Sequence, residues 1–276
     1  MNIAQTHPGS LAALIRSLRR NRGLLWQLTR REVVGRYRGS VMGMAWSFFN
    51  PLLMLAVYTF VFSVVFKARW DVDIGEGKTR FAIVLFVGMI IHGLFAEVVN
   101  RAPGLMLANV NYVKKVVFPL ELLPVTILGA ALFHALISLV VLLAVFLLSN
   151  GFLQLTALFF PLVLLPLAIA TLGFTWMLAS LGVFVRDVGQ TVGILTTILL
   201  FVSPIFYPVS ALPESFRPWL LANPLTFIIE QSRAVLVYGQ YPDWSGLALY
   251  TVVSVAIAWA GFWWFQKTRK GFADVL

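Results

Sequence analysis

The chain has 276 residues, 60% of them hydrophobic and only 12% charged, with a mean hydropathy of +0.88. Soluble domains carry about a quarter charged residues, so a water-soluble globule is excluded and an integral membrane protein with several spans is expected. The net charge of +10 gathers at the ends of apolar runs, which points to anionic lipid and the positive-inside rule rather than to nucleic acid; zero cysteines exclude disulfides and thiolate metal sites.

The first ten residues lack the apolar stretch and small-residue cleavage site of a signal peptide. After Pro8-Gly9, Ser10 can cap a helix in which Leu11, Leu14, Ile15 and Leu18 share one face and Arg16, Arg19 and Arg20 the other. That pattern predicts an amphipathic helix in the membrane interface, or one packed on another subunit. Asn21-Arg22-Gly23 breaks it, and residues 24–38 lead on with Trp26 at belt height.

The dense run Arg30-Arg31-Glu32-Val33-Val34-Gly35-Arg36-Tyr37-Arg38 then passes, with no linker expected, into a stretch free of charge from Val41 to Phe66. A helix of that length reaches ~39 Å, more than the ~30 Å hydrocarbon core. The basic collar marks its mouth as cytoplasmic. Within it Asn50-Pro51 reads either as a structural kink or as a polar position facing a translocation path. Trp46, Phe48, Phe49, Tyr58 and Phe62 either face lipid and neighbouring helices or line a conduit, where aromatic faces give broad, weak contact to a sliding substrate.

Residues 67–80 form an outer polar loop. Its Gly75-Glu76-Gly77-Lys78-Thr79 is no phosphate-binding loop, since Val72 stands where the motif needs glycine. A second span is expected over 81–99. The polar interruption from Asn100 to Glu121 follows on the inner side; it reads as an interfacial loop or as a short helix offered to a soluble partner. Further spans are expected over 122–149, 155–182, 192–207 and 247–265, with Asn150-Gly151 as a tight turn and an outer re-entrant segment over 208–246. There the apolar run 225–236 is too short to cross and carries Glu230 and Arg233. About fifteen of the 21 Lys and Arg residues then fall inside, which predicts six spans with both termini cytoplasmic. The fold class is all-α and membrane-embedded.

No Ser-His-Asp set, carboxylate pair or metal cluster emerges at useful spacing. Glu97 is the one acidic residue expected inside a span, and His134 reads as hydrogen-bonded between helices rather than as a metal ligand. Ion-coupled carriers need intramembrane ionisable groups, so the energy for any transport is expected from elsewhere.

These residues carry a resemblance. The run from Arg30 to Ser40, followed by Trp46 and Asn50-Pro51-Leu52, is similar to the entry of type-2 ABC exporter permeases, and more closely to those exporting bacterial O-antigen, capsule and teichoic acid. Asn111-Tyr112-Val113-Lys114-Lys115 with Phe118-Pro119 resembles their cytoplasmic loop, and Asn223-Pro224-Leu225 with Glu230 and Arg233 their outer re-entrant region. The resemblance implies a permease homodimer in the inner membrane, itself no enzyme and without cofactor, carrying two ATPase subunits that bind ATP and Mg. The cargo implied is a lipid-linked polysaccharide. Arg101, Asn109, Asn111, Tyr112, Lys114 and Lys115 would form the coupling element. Arg30, Arg31, Arg36, Tyr37 and Arg38 would form a gate, where guanidinium suits a pyrophosphate head group or simply anchors the helix. Pro204, Tyr207, Pro208, Glu230 and Arg233 would shape the outer mouth. An exporter of drugs or lipids, an ion-coupled carrier and a membrane glycosyl- or acyltransferase are the competing readings.

Overall fold

The computed structural model describes residues 9–61, 78–114, 118–211, 213–215, 220 and 223–276, and among these the regular structure is entirely helical. Helices α1 (Leu11–Arg20) and α2 (Arg22–Tyr37) precede α3 (Trp46–Tyr58) and α4 (Lys78–Arg101). A short α5 (Val110–Lys114) leads to the long α6 (Leu122–Asn150) and α7 (Phe160–Phe184). Then come α8 (Val188–Val202), α9 (Thr226–Leu236), α10 (Trp244–Thr268) and the single turn α11 (Phe272–Val275). Among the described residues five stretches are long and apolar enough to cross a membrane: Gly43–Val61, Phe81–Arg101, Leu122–Asn150, Leu155–Phe184 and Trp244–Val275.

Local chemistry sets the ends. The Ser10 side chain accepts from the Ala13 N–H at 3.3 Å and opens α1 as expected. In α1 Leu14 is buried, whereas Ile15 is half-exposed. Gly151, at φ 78°, closes α6 by donating to Leu147 O. Asp243 opens α10 by accepting from the N–H groups of Ser245 and Gly246, both at 3.1 Å, and from the Ser245 hydroxyl at 2.7 Å; the hydroxyl first, then the Gly246 N–H, hold its carboxyl below the usual range.

Several boundaries differ from expectation. The passage from the basic run into the first apolar helix is an elbow, not one continuous helix: Gly39 (φ 86°) and Gly43 (φ 50°) take left-handed backbone, and a 3-10 turn at Gly43–Ala45 precedes α3. Past Tyr58 the backbone passes into a π turn over 59–61. The expected span over 192–207 is instead a 15-residue helix that ends before Pro204, with Ser203 extended at ψ 148°. The last span starts at Trp244 because of the Asp243 cap. Phe62 and the loop over 67–77 lie outside the described residues.

α4 is the axis of the bundle: 78% of its apolar window is buried inside the protein, against 11% for Gly43–Val61. One core cluster gathers α4, α6, α7 and α9 around Leu85, Leu142, Leu167 and Ile228. A second, at the Arg-rich end, joins Met106, Ile127, Trp176, Phe262, Phe265 and Phe272. The closest helix pair is α7 with α10. A Cβ on Gly173 would stand 2.6 Å from Ile257 O, and one on Gly261 would run into the Gly173 carbonyl. Lipid gives helices no hydrophobic reason to associate, so such small-residue contacts carry the packing. Gly261→Leu must therefore push two backbones apart. It is expected to destabilise the protein by about 1–3 kcal/mol or more, read as a lower thermal unfolding midpoint in detergent, while Gly193→Leu, at a glycine with open space, leaves the midpoint unchanged.

Candidate functional site

A cavity of about 530 Å³ opens between the C-terminal end of α2 and helices α3, α4 and α6. Arg36 and Tyr37 come to it from α2; Trp46, Asn50 and Tyr58 from α3; Glu97 from α4; and His134 and Ser138 from α6. Asn50 and Pro51 thus both lie on its wall, the proline inside the helix that presents the amide. Phe48 and Phe49, half-exposed on the same helix, do not line it.

The polar corner of the cavity is a three-helix contact. Arg36 donates to Glu97 Oε1 at 2.6 Å, and His134 Nδ1 lies 3.0 Å from both that oxygen and the guanidinium. The Tyr37 ring meets the His134 imidazole edge-on at 6.0 Å. Burial raises the Tyr37 phenol above its ordinary value, ahead of the opposing pull of Arg36 and a further push from Glu97. The Arg36 side chain is 49% exposed. A pair of that kind contributes about 1 kcal/mol or less, so it holds α2 in place without holding it hard. Arg30 and Arg38 stand exposed beside it, and Arg31 donates to Tyr112 Oη at 3.2 Å.

The 101–121 segment hangs from α4 and is tied at both ends. Upstream, Arg101 pairs with Glu32 of α2, and Pro103 packs its backbone against Gly182 of α7. The segment then makes a 3-10 turn at Leu107–Asn109, in which Asn109 donates to Leu105 O at 2.9 Å, and α5 follows. Tyr112 stacks on Phe118 with ring centroids 4.4 Å apart. Asn111 and Lys114 face outward; Lys115 lies outside the described residues. Downstream, the buried Glu121 carboxylate accepts from Ser17 of α1 at 2.8 Å and from Arg269 at 2.9 Å, and its backbone carbonyl accepts from Trp176 Nε1. Arg269 also donates to Phe118 O at 2.8 Å.

At the opposite end of the bundle Arg233 is fully buried. Its Nε donates to Val84 O at 3.2 Å, Nη2 to Ile205 O at 3.1 Å, and Nη1 to Glu230 at 2.7 Å. Asn223 donates to Ser203 Oγ at 2.9 Å and accepts from the Leu225 N–H, and Tyr250 donates to Pro224 O. Tyr207 donates to Val202 O at 2.8 Å, closing the turn in which Pro204 is buried and Pro208 half-buried. These residues brace α9 against α4, α8 and α10 rather than lining a described cavity. The Glu97–His134 contact and the Glu121–Arg269 clamp escape a sequence reading because their partners lie 37 and 148 residues apart.

A helical bundle with membrane-length helices, a cavity open at its Arg-rich end and a tethered polar segment beside it has the build of a transport permease. Residues 23–237 match the ABC-2 type transporter family, and the chain belongs to that family. It is 31% identical over 263 residues to the O-antigen export system permease protein RfbA of Myxococcus xanthus, covering 95% of this chain and 98% of that one. An RfbA of Klebsiella pneumoniae is 25% identical over 255 residues, 92% of this chain and 95% of the relative. The polysialic acid transport protein KpsM of Escherichia coli is 26% identical over 246 residues, 87% and 91% of the two chains.

Glu121→Gln and Arg269→Gln are each expected to lower stability by removing one partner of a buried pair. The double variant is expected to fall short of their sum by about 1–3 kcal/mol, as measured in a double-mutant cycle of thermal unfolding in detergent.

Proposed function

We propose that this chain is the transmembrane subunit of an ATP-driven exporter that moves a polyprenyl-pyrophosphate-linked polysaccharide of the O-antigen class from the cytoplasm across the inner membrane. Two copies act with two separate ATPase subunits, which bind the ATP and Mg. The observation that carries this reading is the likeness to an O-antigen export permease along 95% of the chain, stronger than the likeness to a polysialic acid transporter. Six crossings are supplied by α3, α4, α6, α7, α8 and α10, with α8 short of the ~30 Å hydrocarbon thickness and completed by residues 203–211 and 223–237 behind it. Both termini lie in the cytoplasm in this reading, which the excess of Lys and Arg on that side supports.

In this reading the 101–121 segment receives the stroke of the ATPase. Arg31–Tyr112 and Arg101–Glu32 pass the movement to α2, whose far end borders the cavity mouth through Arg36. Trp46, Asn50 and Tyr58 give the glycan aromatic and amide contact as it slides, without a site deep enough to trap it. Arg30 and Arg38 offer exposed guanidiniums to the diphosphate. The 203–237 segment, braced by Arg233, shapes the outer mouth.

The test is a pull-down of the tagged chain from gently solubilised native membranes, assayed for ATP hydrolysis. An ATPase is expected at equal stoichiometry, and Lys114→Glu with Lys115→Glu should lower the co-purified activity by about tenfold or more. A chain that emerges alone, under conditions that keep another ABC exporter intact, overturns the reading. In reconstituted complex, Arg30→Gln with Arg38→Gln is expected to raise by about tenfold the glycan-lipid concentration needed to stimulate ATP turnover; unchanged stimulation removes the diphosphate role.

A further inference from the structure

The charges that join α2 to α4 form a pattern that neither helix shows alone. On α2, Glu32 and Arg36 stand four residues apart and so share a face. On α4, Glu97 and Arg101 do the same. Glu32 pairs with Arg101, and Arg36 pairs with Glu97. Rising numbers on one helix meet falling numbers on the other, so the helices run antiparallel here and the two pairs are successive rungs of one ladder, each rung of opposite polarity to the next.

That arrangement has only one favourable register. A slip of α2 by one turn, about 6 Å for four residues, in one direction brings Glu32 against Glu97. In the other direction it brings Arg36 against Arg101. Each slip loses both attractive pairs and creates a like-charge pair at the edge of low-dielectric protein, where repulsion is stronger than in water. A ladder of uniform polarity would allow such a slip at little cost. His134 adds a third helix to the second rung, since its Nδ1 meets the same Glu97 carboxylate from α6. The contact between α2 and α6 is close as well: a Cβ on Gly129 would stand 3.6 Å from the Cβ of Thr29.

We propose that Glu32, Glu97 and Arg101 are positioning residues that fix the register of α2, and so place Arg36 and Tyr37 at the cavity mouth. The one-turn ratchet that packed helices can use is closed to α2. It leaves α4 as a rigid arm, hinged at the Gly39–Gly43 elbow, with both rungs parting together. The ladder selects the register, the contact of Thr29 with Gly129 seats it against α6, and both hold whatever cargo the cavity carries.

The chain contains no cysteine, so a Thr29→Cys, Gly129→Cys pair reports register on a clean background. The expected Cβ separation matches the ~3.5–4.5 Å that a disulfide requires. The pair is expected to cross-link readily under mild oxidation in native membranes. Exchanging the α2 charges, Glu32→Arg with Arg36→Glu, leaves composition and net charge unchanged but opposes like charges on both rungs. In that variant the cross-link at position 29 is expected to be lost, or to move to a cysteine placed one turn away at Leu25 or Val33. Adding the α4 exchange, Glu97→Arg with Arg101→Glu, restores complementarity and is expected to restore the native cross-link. The proposal fails if the α2 exchange alone cross-links at position 29 as the native charges do. It fails equally if the fourfold variant does not regain that cross-link. Neither result depends on an ATPase partner or a glycan, so failure here is distinct from failure of the export reading.

Discussion

The seating of α2 against α4 and α6 is the constraint on which the rest of this structure depends. Inside a bilayer, helices gain nothing from hiding apolar surface from one another, and close contact and polar pairing decide where each one sits. α4 has both: it is buried among its neighbours and carries Glu97 and Arg101 at the end where α2 meets it. The cavity exists because the elbow after α2 turns α3 away from that contact, leaving Trp46, Asn50 and Tyr58 facing α4 and α6 across open space.

The two ends of the bundle are held by interactions of different strength, and the difference is mechanical. At one end Arg233 is wholly buried and spends its donors on two backbone carbonyls and Glu230. Breaking such a set costs about 3–5 kcal/mol, and α9 is accordingly fixed to the core. At the other end the Arg36 and Arg101 side chains are 49% and 39% exposed, and pairs of that exposure contribute about 1 kcal/mol or less each. Water can replace them far more readily than it can replace the contacts of Arg233. Glu121 lies between the extremes: buried, but joined to three separate elements through Ser17, Trp176 and Arg269, it anchors the downstream end of the 101–121 segment, while Arg101 pairs the upstream end with Glu32 of α2.

Much of this was legible in the sequence wherever the information is local. Uncharged runs announced the long helices, Ser10 and Asn150-Gly151 marked helix ends, and the basic run before Trp46 announced the start of the first apolar helix. Other local signals were present but went unread: Gly39 and Gly43 make the elbow, Pro204 ends α8 early, and Asp243 starts α10 ahead of the apolar run. The site was only half legible. Arg36, Tyr37, Trp46, Asn50 and Tyr58 could be picked out by type and place, but which faces of α3 are turned inward depends on the elbow, so Phe48 and Phe49 could not be told from them. Glu97 and His134 were noticed singly. Their union, and that of Glu121 with Arg269, is made by tertiary packing across long stretches of chain. The spacing of Glu32 to Arg36 and of Glu97 to Arg101 was the one written sign that two helices are matched.

The most direct measurement of the account is transport through a chain whose α2 cannot move. The Thr29→Cys, Gly129→Cys protein, reconstituted in liposomes with its ATPase partner and a lipid-linked glycan, would be assayed for ATP-dependent delivery of glycan across the bilayer before and after reduction. The account predicts that the oxidised complex keeps its partner but delivers nothing, and that a reductant restores delivery. Export at the full reduced rate with the disulfide closed would contradict it, because the cavity would then open without α2.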